Sequence, residues 1–279
     1  MDYDQPLGGD HGQGVGMSHF SVDVCLPPTP PRELRAALDA VMAPFDLNLS
    51  GGNPDGQWDW WRIDAGDEDR FAVRPEHDGD PRLIFATHPD GEPCERLPLR
   101  CDGGPRGLLD FDTTREAAVS RARTRWQAEQ EDFARLVADH PPAEPLTTFI
   151  ARHRANTRGY PHGQAVADHH AQPLVRALTH SSAWDRYPNL GVWMLGPDSD
   201  PISHFTRDPQ ADLDEAAAWA IARFALLTLD GQWIDAECPG SFVDVLPDED
   251  PSTAYARRAA AYLEDLDDDC VIVRLYCHC

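Results

Sequence analysis

The stretch CVIVRLYCHC at residues 270–279 decides the fold. Its β-branched and aromatic residues favour a strand, and the alternation of a strand would place Val271, Val273, Leu275 and Cys277 on one face. A strand this apolar is typical of the buried part of a sheet. Its removal is therefore expected to unfold the protein rather than trim it.

Further strands are predicted along the chain. HFSVDVCL at residues 19–26 places Phe20, Val22 and Val24 on one face and ends at two prolines, which cannot continue a strand. ALLTLDGQWID at residues 225–235 predicts a hairpin around its Asp-Gly pair. The remaining candidates are WDWWRI (58–63), RLIFATH (82–88), NLGVWML (189–195) and a short strand within residues 94–101.

Helical spacing of apolar residues dominates much of the rest. Thr29 is a candidate cap for a helix that carries Leu34, Leu38 and Val41, and Asp250 or Ser252 is a candidate cap for the last helix. The other predicted helices cover residues 112–140, from 146 to about 159, 164–180 with a proline near the middle, and from 212 to about 224. The sequence therefore predicts an α+β protein with a mixed sheet or sheets, several packed helices and a long central helix.

The domain organisation predicted from composition has three parts. Residues 1–17 are acidic and glycine-rich, which is typical of a flexible tail. Residues 18–110 form a β-rich α+β module, and residues 111–279 form a helical segment followed by an α/β module. The last two parts are equally compatible with one continuous domain.

The charge balance limits the classes of partner. The chain has 279 residues with 24 Lys+Arg and 48 Asp+Glu, for a net charge of −24, and every basic residue is an arginine. Three explanations compete for the lack of lysine: GC-rich codon usage, which is preferred, adaptation to high salt, and selection against lysine modification. An acidic surface repels phosphate backbones, so direct nucleic-acid binding is not expected, whereas a basic protein partner is.

The remaining bulk features concern the compartment. No run of about 18 apolar residues occurs, so no membrane span is predicted. The first residues lack the basic and apolar regions of a secretory signal, and the seven cysteines are an odd number, which favours reduced thiols. We therefore expect a cytoplasmic protein.

The search for catalytic and cofactor motifs gives few candidates. Nucleophile elbows, Walker A loops, dinucleotide loops and HExxH motifs are missing from the sequence, and no cofactor is predicted. Cys277 and Cys279 would point the same way on a strand and, with Cys94 and Cys101, would be the best candidate metal ligands. The spacing between Cys94 and Cys101 is wrong for a zinc pair, so buried or terminal thiols are the preferred interpretation and no metal is predicted.

Five histidines cluster loosely between residues 153 and 180. On a continuous helix, His162 and His169 would share one face, two turns apart. Solvated or structural histidines are the preferred interpretation, and metal binding is the alternative.

Two groups of residues are candidates for binding. Trp58, Trp60 and Trp61 form an unusual cluster, with Trp58 and Trp60 predicted on one strand face and Trp61 on the other. Trp60 and Trp61 are the candidate binding tryptophans, and the alternative is a core strand buried on both sides. The second group is two acidic runs that flank the last helix: Asp248, Glu249, Asp250, Asp267, Asp268 and Asp269. These runs are candidates for one negative face, or else are solvated loop ends.

Several pieces of the chain resemble a group of uncharacterised actinobacterial and actinophage proteins. The similar pieces are APFD (43–46), WDWW (58–61), LLTLDGQW (226–233) and a terminal strand with Cys-His near its end. In those proteins an Ile-Gly-Gly-Arg-Trp run follows WDWW, whereas Ile63 is followed here by Asp64 and Ala65. The resemblance implies a bacterial or phage source and no particular activity.

Two functions remain open. The first is a non-enzymatic interaction protein, possessing an acidic surface for a basic protein partner and of phage or mobile-element origin. The alternative is a metal-dependent hydrolase or other enzyme that uses the histidines and cysteines of residues 153–180 and the C-terminus. Salt-sensitive association would favour the first, and turnover lost on replacing His169 or Cys277 the second.

Overall fold

The computed structural model describes residues 19–49, 51–66, 68–87, 94–179, 186–190, 200–237, 242–243 and 250–279. The chain has an α+β fold and divides into two compact units. The sheet unit consists of the described residues of Val15–Ser120 and Asp212–Cys279. The helical unit consists of those of Arg121–Ala211.

Two sheets organise the sheet unit. The strands are β1 His19–Leu26, β2 Trp60–Ile63, β3 Phe71–Val73, β4 Arg100–Cys101, β5 Gly103–Pro105, β6 Leu109–Asp110, β7 Ala225–Leu227, β8 Trp233–Asp235 and β9 Val271–His278. The main sheet has the order β2-β9-β1-β7-β8, and β5 also pairs with β9. The smaller sheet has the order β4-β3-β6.

Eight helices complete the described elements. They are α1 Leu34–Met42, α2 Phe111–Ala138, α3 Leu146–Ala155, α4 His162–His170, α5 Pro173–Thr179, α6 Pro201–Thr206, α7 Gln210–Trp219 and α8 Pro251–Glu264. The long central helix is therefore confirmed as α2. No helix within the described ranges has both the length and the apolar character needed to cross a membrane.

The antiparallel pairing of β1 and β9 confirms the two strongest strand predictions. Their register runs from His19 opposite His278 to Leu26 opposite Val271. Protein covers both faces along most of this pair. Val22, Val24, Val273 and Leu275 pack against α1, on what we call the α1 side of the sheet, whereas Cys25 and Ile272 pack with α8 on the opposite side, the α8 side.

The predicted hairpin at residues 225–235 is also confirmed. β7 and β8 pair antiparallel, and Gly231 has φ +80°, a left-handed conformation that glycine adopts without steric cost. β7 joins β1 in parallel, which makes the main sheet mixed. The preceding helix, α7, ends at Trp219, a few residues before the predicted boundary near Phe224.

Several local predictions are wrong. Residues 82–88 were expected to form a strand, but the described part holds an isolated bridge from Ile84 to Gly103. Thr29 does not cap the first helix, because its hydroxyl donates to the carbonyl of Pro27 and a 3-10 turn at Pro31–Glu33 precedes α1. Most of the strand expected at 189–195 lies outside the described residues.

A separate apolar core holds the helical unit together. Leu136 of α2, Leu174 and Leu178 of α5, and Phe205 of α6 are buried in it. The helix predicted over residues 164–180 is two helices, α4 and α5, which meet at Pro173. Proline removes a backbone donor and clashes with the preceding turn, which explains the break.

Candidate functional site

The exposed end of the main sheet brings aromatic and charged side chains into rows on the α8 side. Residues directly opposite each other in paired strands lie on the same face. The register therefore places Trp60, His278 and His19 in one row across β2, β9 and β1. Arg62 and Tyr276 lie in the next row. We call these five residues the aromatic face.

The rings of the aromatic face stack on one another. Trp60 lies parallel to His278 with ring centroids 5.9 Å apart, and His19 stacks on Tyr276 at 5.2 Å. His19 also meets the edge of the His278 ring at 4.9 Å. These separations fall in the range of favourable ring contacts. Trp60 nevertheless remains 39% exposed, so the stack leaves a large aromatic surface open to solvent.

Charged groups border the aromatic face. The Arg62 guanidinium lies 5.0 Å from the Tyr276 ring centroid and 6.0 Å from that of Trp60, and it donates to Asp64 at 2.7 Å. Asp59 Oδ1 lies 2.6 Å from His278 Nδ1. Burial raises the pKa of Tyr276, so this phenol stays neutral at physiological pH.

The row of the sheet that follows Arg62 and Tyr276 on the same side marks the end of the aromatic face. Arg274 of β9 lies opposite Asp23 of β1, and both side chains are fully buried. Arg274 Nε donates to Asp23 Oδ1 at 2.7 Å, and the guanidinium lies 3.9 Å from the Phe71 ring centroid. The same side of the sheet therefore changes from a covered ion pair to an exposed aromatic surface within two residues.

Comparison with known proteins gives no match. Neither a protein-family model, nor a curated protein, nor a solved structure matches this chain. The argument for function therefore rests on the chain's own residues.

The three clustered tryptophans are distributed differently from the prediction. Trp58 and Trp61 both pack on the α1 side, and Trp60 alone is exposed on the α8 side. The predicted parity is wrong because Trp58 precedes the regular strand: it forms a bridge with Asp46, and its indole nitrogen donates to the Met42 carbonyl. The Arg35 guanidinium covers Trp61 at 4.1 Å from the ring centroid. Of the two candidate binding tryptophans, the structure places only Trp60 on the aromatic face.

The predicted acidic residues lie at different places in the sheet unit. Asp250 caps α8 by accepting a hydrogen bond from the Ser252 backbone N–H at 2.9 Å. Asp267, Asp268 and Asp269 follow the other end of this 14-residue helix, about 20 Å away along its axis. They precede β9, whereas the aromatic face lies at the far end of that strand. Asp248 and Glu249 lie outside the described residues.

The four candidate cysteine ligands, including the partly exposed Cys94, do not form a metal site in the described part of the chain. Cys277 points into the core on the α1 side, Cys101 is buried next to Phe71 of β3, and Cys279 is exposed. Burial raises the pKa of Cys101 to about 12 and also raises that of Cys277, which opposes formation of metal-binding thiolates. Across the described residues, no group of three or more His, Cys, Asp or Glu side chains is arranged to hold a metal ion.

The histidines of residues 153–180 belong to the helical unit. His162 is exposed at the start of α4, whereas His169 is fully buried beside Phe149 and Asp200. His153 Nδ1 donates a hydrogen bond to the Tyr160 carbonyl at 2.8 Å, and its ring meets that of His162 edge-on. His180 lies outside the described residues. The two histidines expected on one face of a helix therefore differ in exposure.

Sequence reasoning missed four members of the aromatic face: His19, Arg62, Tyr276 and His278. The sequence does hold one signal. His19, Tyr276 and His278 are polar or aromatic and occupy the positions of β1 and β9 that alternate with the apolar face. The register that brings them together with Trp60 depends on the pairing of distant strands.

Proposed function

We propose that the protein is a non-enzymatic interaction protein and that its aromatic face binds a basic segment of a protein partner. The observation that carries the proposal is the exposed ring of Trp60, supported from behind by His278 and flanked by Tyr276. Exposed tryptophan and tyrosine side chains on a rigid sheet are typical of residues that dominate binding energy.

The electrostatics of the face favour a cation. The faces of aromatic rings attract guanidinium and ammonium groups, and Arg62 already lies over Tyr276 in this way. Asp59 and Asp64 provide carboxylates at the border of the face. An arginine or lysine of the partner could therefore stack on Trp60 while its charge interacts with these carboxylates.

The net charge of −24 supports the same choice of partner. A strongly acidic protein attracts basic partners over distances comparable to the Debye length, about 10 Å at 0.1 M salt. Asp267, Asp268 and Asp269 lie at the opposite end of β9 from Trp60, so in this proposal they accelerate association only at low salt, where the Debye length reaches about 30 Å at 0.01 M. Neutralising them should slow association more than it speeds dissociation.

The experiment uses a fluorescent nona-arginine peptide and a nona-lysine peptide as probes of a basic segment. Fluorescence anisotropy is measured with the full chain at low and high salt. We expect salt-sensitive binding that weakens about tenfold or more in Trp60→Ala, as for a central aromatic contact. The matched control is Leu229→Ala, which removes another exposed apolar side chain of the sheet unit and should leave affinity unchanged.

Two results would refute the proposal. The first is equal affinity of the parent protein and Trp60→Ala, which would show that the peptides bind the acidic surface without using the aromatic face. The second is binding that is insensitive to salt and to neutralisation of Asp59 and Asp64. Retained circular dichroism spectra for each variant exclude unfolding as the cause of lost binding.

A further inference from the structure

A second site lies elsewhere in the sheet unit, beside the start of α2. A cavity of about 560 Å³ is lined there by three arginines, Arg74, Arg106 and Arg115. Carboxylates of Glu76, Asp110, Asp112 and Glu264 also line it. The volume lies within the range of pockets that hold small organic molecules.

The carboxylates around this cavity are largely engaged. Asp110 accepts hydrogen bonds from the Thr113 backbone N–H at 2.9 Å and from its hydroxyl at 2.8 Å. Arg115 donates to both Asp112 and Glu264. The Arg115 guanidinium thus pairs with two carboxylates, and Thr113 in the first turn of α2 donates hydrogen bonds to a third, that of Asp110.

The other two arginines are held by uncharged acceptors. Arg74 Nε donates to the Leu109 backbone carbonyl at 3.3 Å. The pKa of the neighbouring Asp110 is lowered mainly by the hydrogen bond from Thr113 and also by the charge of Arg74. Arg106 Nη2 donates to the Glu264 backbone carbonyl at 2.9 Å. Its Nε is buried without a hydrogen-bond partner among the described residues, and its nearest carboxylate, Asp268 at 3.9 Å, is 86% exposed.

Anchoring by backbone carbonyls fixes the position of a guanidinium without neutralising its charge. The Phe111 ring also restricts the Arg106 guanidinium, which lies over it at 5.3 Å from the ring centroid. Pre-positioned arginines with unused donors are suited to carboxylate and phosphate groups, which accept two parallel hydrogen bonds. We infer that this cavity binds a small organic anion, with Arg74 and Arg106 as the residues that hold its oxyanion group.

The acidic residues at the cavity define the size of the ligand. Glu76 is exposed and, like the net charge of −24, repels an extended polyanion. A small anion with one phosphate group, or with one or two carboxylates, can reach the arginines while placing little negative charge near these residues. The ligand class is therefore a small carboxylate or phosphate compound and not a nucleic acid.

Isothermal titration calorimetry of the full chain with inorganic phosphate and with succinate tests this inference. We expect saturable one-to-one binding of at least one probe at concentrations up to about 10 mM. Binding should weaken about tenfold in Arg74→Gln and in Arg106→Gln, because each removes a charge-assisted hydrogen bond. Arg82→Gln is the matched control, since Arg82 is paired with Asp80 and does not line the cavity.

A second measurement does not depend on variants that fold. In the unsubstituted protein with ¹⁵N-labelled arginine, the side-chain resonances of Arg74 and Arg106 should shift when the probe binds, because the charge of the probe changes the surroundings of both guanidinium groups. Binding of phosphate alone or of succinate alone identifies which oxyanion source fits. Absence of saturable binding for both probes, or equal affinity in the parent, Arg74→Gln and Arg106→Gln, would overturn the inference.

Discussion

The buried ion pair at the centre of the main sheet gives the sharpest prediction for stability. Asp23 and Arg274 are fully buried, and the Arg274 guanidinium donates to Asp23 at 2.7 Å and 3.3 Å and to the Ile221 carbonyl at 2.5 Å. It also donates to the Asp69 carbonyl. Asp23→Ala would remove two charge-assisted hydrogen bonds and leave the guanidinium buried without its counter-ion.

The expected cost follows from these contacts. Each hydrogen bond to a charged group contributes about 1.5–3 kcal/mol, and breaking a buried ion pair from one side costs about 3–5 kcal/mol. We therefore expect Asp23→Ala to lower the free energy of unfolding by about 3–5 kcal/mol, a large part of the roughly 5–15 kcal/mol of a typical domain. Urea denaturation followed by tryptophan fluorescence measures this change.

Two further variants separate the ion pair from other effects. The double variant Asp23→Val with Arg274→Met removes both charges together, so it should be much less destabilising than the sum of the two single changes. Asp39→Ala breaks the exposed pair with Arg35 and should cost less than about 1 kcal/mol. Additive effects at Asp23 and Arg274, or a cost of Asp23→Ala as small as that of Asp39→Ala, would refute the reasoning.

Three other predictions concern pH, capping and thiol reactivity. Burial lowers the pKa of His169 although Asp200 opposes the shift, so the unfolded chain binds the proton more readily and stability should fall below about pH 6.5. Thermal unfolding from pH 8 to pH 5 measures this loss, and His169→Gln should reduce it; identical pH profiles would contradict the assignment. Asp250→Ala removes the cap of α8 and should cost about 1 kcal/mol in urea denaturation, whereas an unchanged midpoint would show that the cap contributes nothing. Brief alkylation followed by peptide mass spectrometry should modify the exposed Cys279 before the buried thiols, and the reverse order would mean that the end of β9 is open.

The strands at both ends of the chain were predictable because their patterns are local. Alternating apolar residues in β1 and β9 identify the face that packs on α1, and the Asp-Gly pair at residues 230–231 identifies the hairpin. The sequence offered Asp250 and Ser252 as caps of the last helix, and Asp250 is the cap, with Pro251 as the first helical residue.

The aromatic face was not predictable from local pattern. Alternation counted from Trp58 predicts the wrong face for this residue, because regular pairing begins at Trp60 and Trp58 forms a separate bridge with Asp46. The neighbours of Trp60 across the sheet are His278 and, one strand further, His19. Their proximity depends on a register between strands remote in the sequence, which no single segment specifies.

The cavity beside α2 was equally hidden. Two of its arginines, Arg74 and Arg106, are anchored by the carbonyls of Leu109 and Glu264, and a sequence shows the residue type but not the acceptor. The net charge of −24 gives no indication of this site, because it is a property of the whole chain and not of one pocket.

The pairing of β1 with β9 has a consequence for the order of folding. Asp23 and Arg274, which meet at the middle of this pair, are 251 positions apart in the chain. Contacts of such long range form slowly, because the entropy of closing a long loop is lost before the contact compensates for it. The contacts of the helical unit join shorter stretches of the chain, such as the 75 positions between Gln130 and Phe205. This unit should therefore acquire protection first in pulse-labelling hydrogen exchange, and the main sheet last. Simultaneous protection of both units would show that the long loop is already compact before the sheet closes.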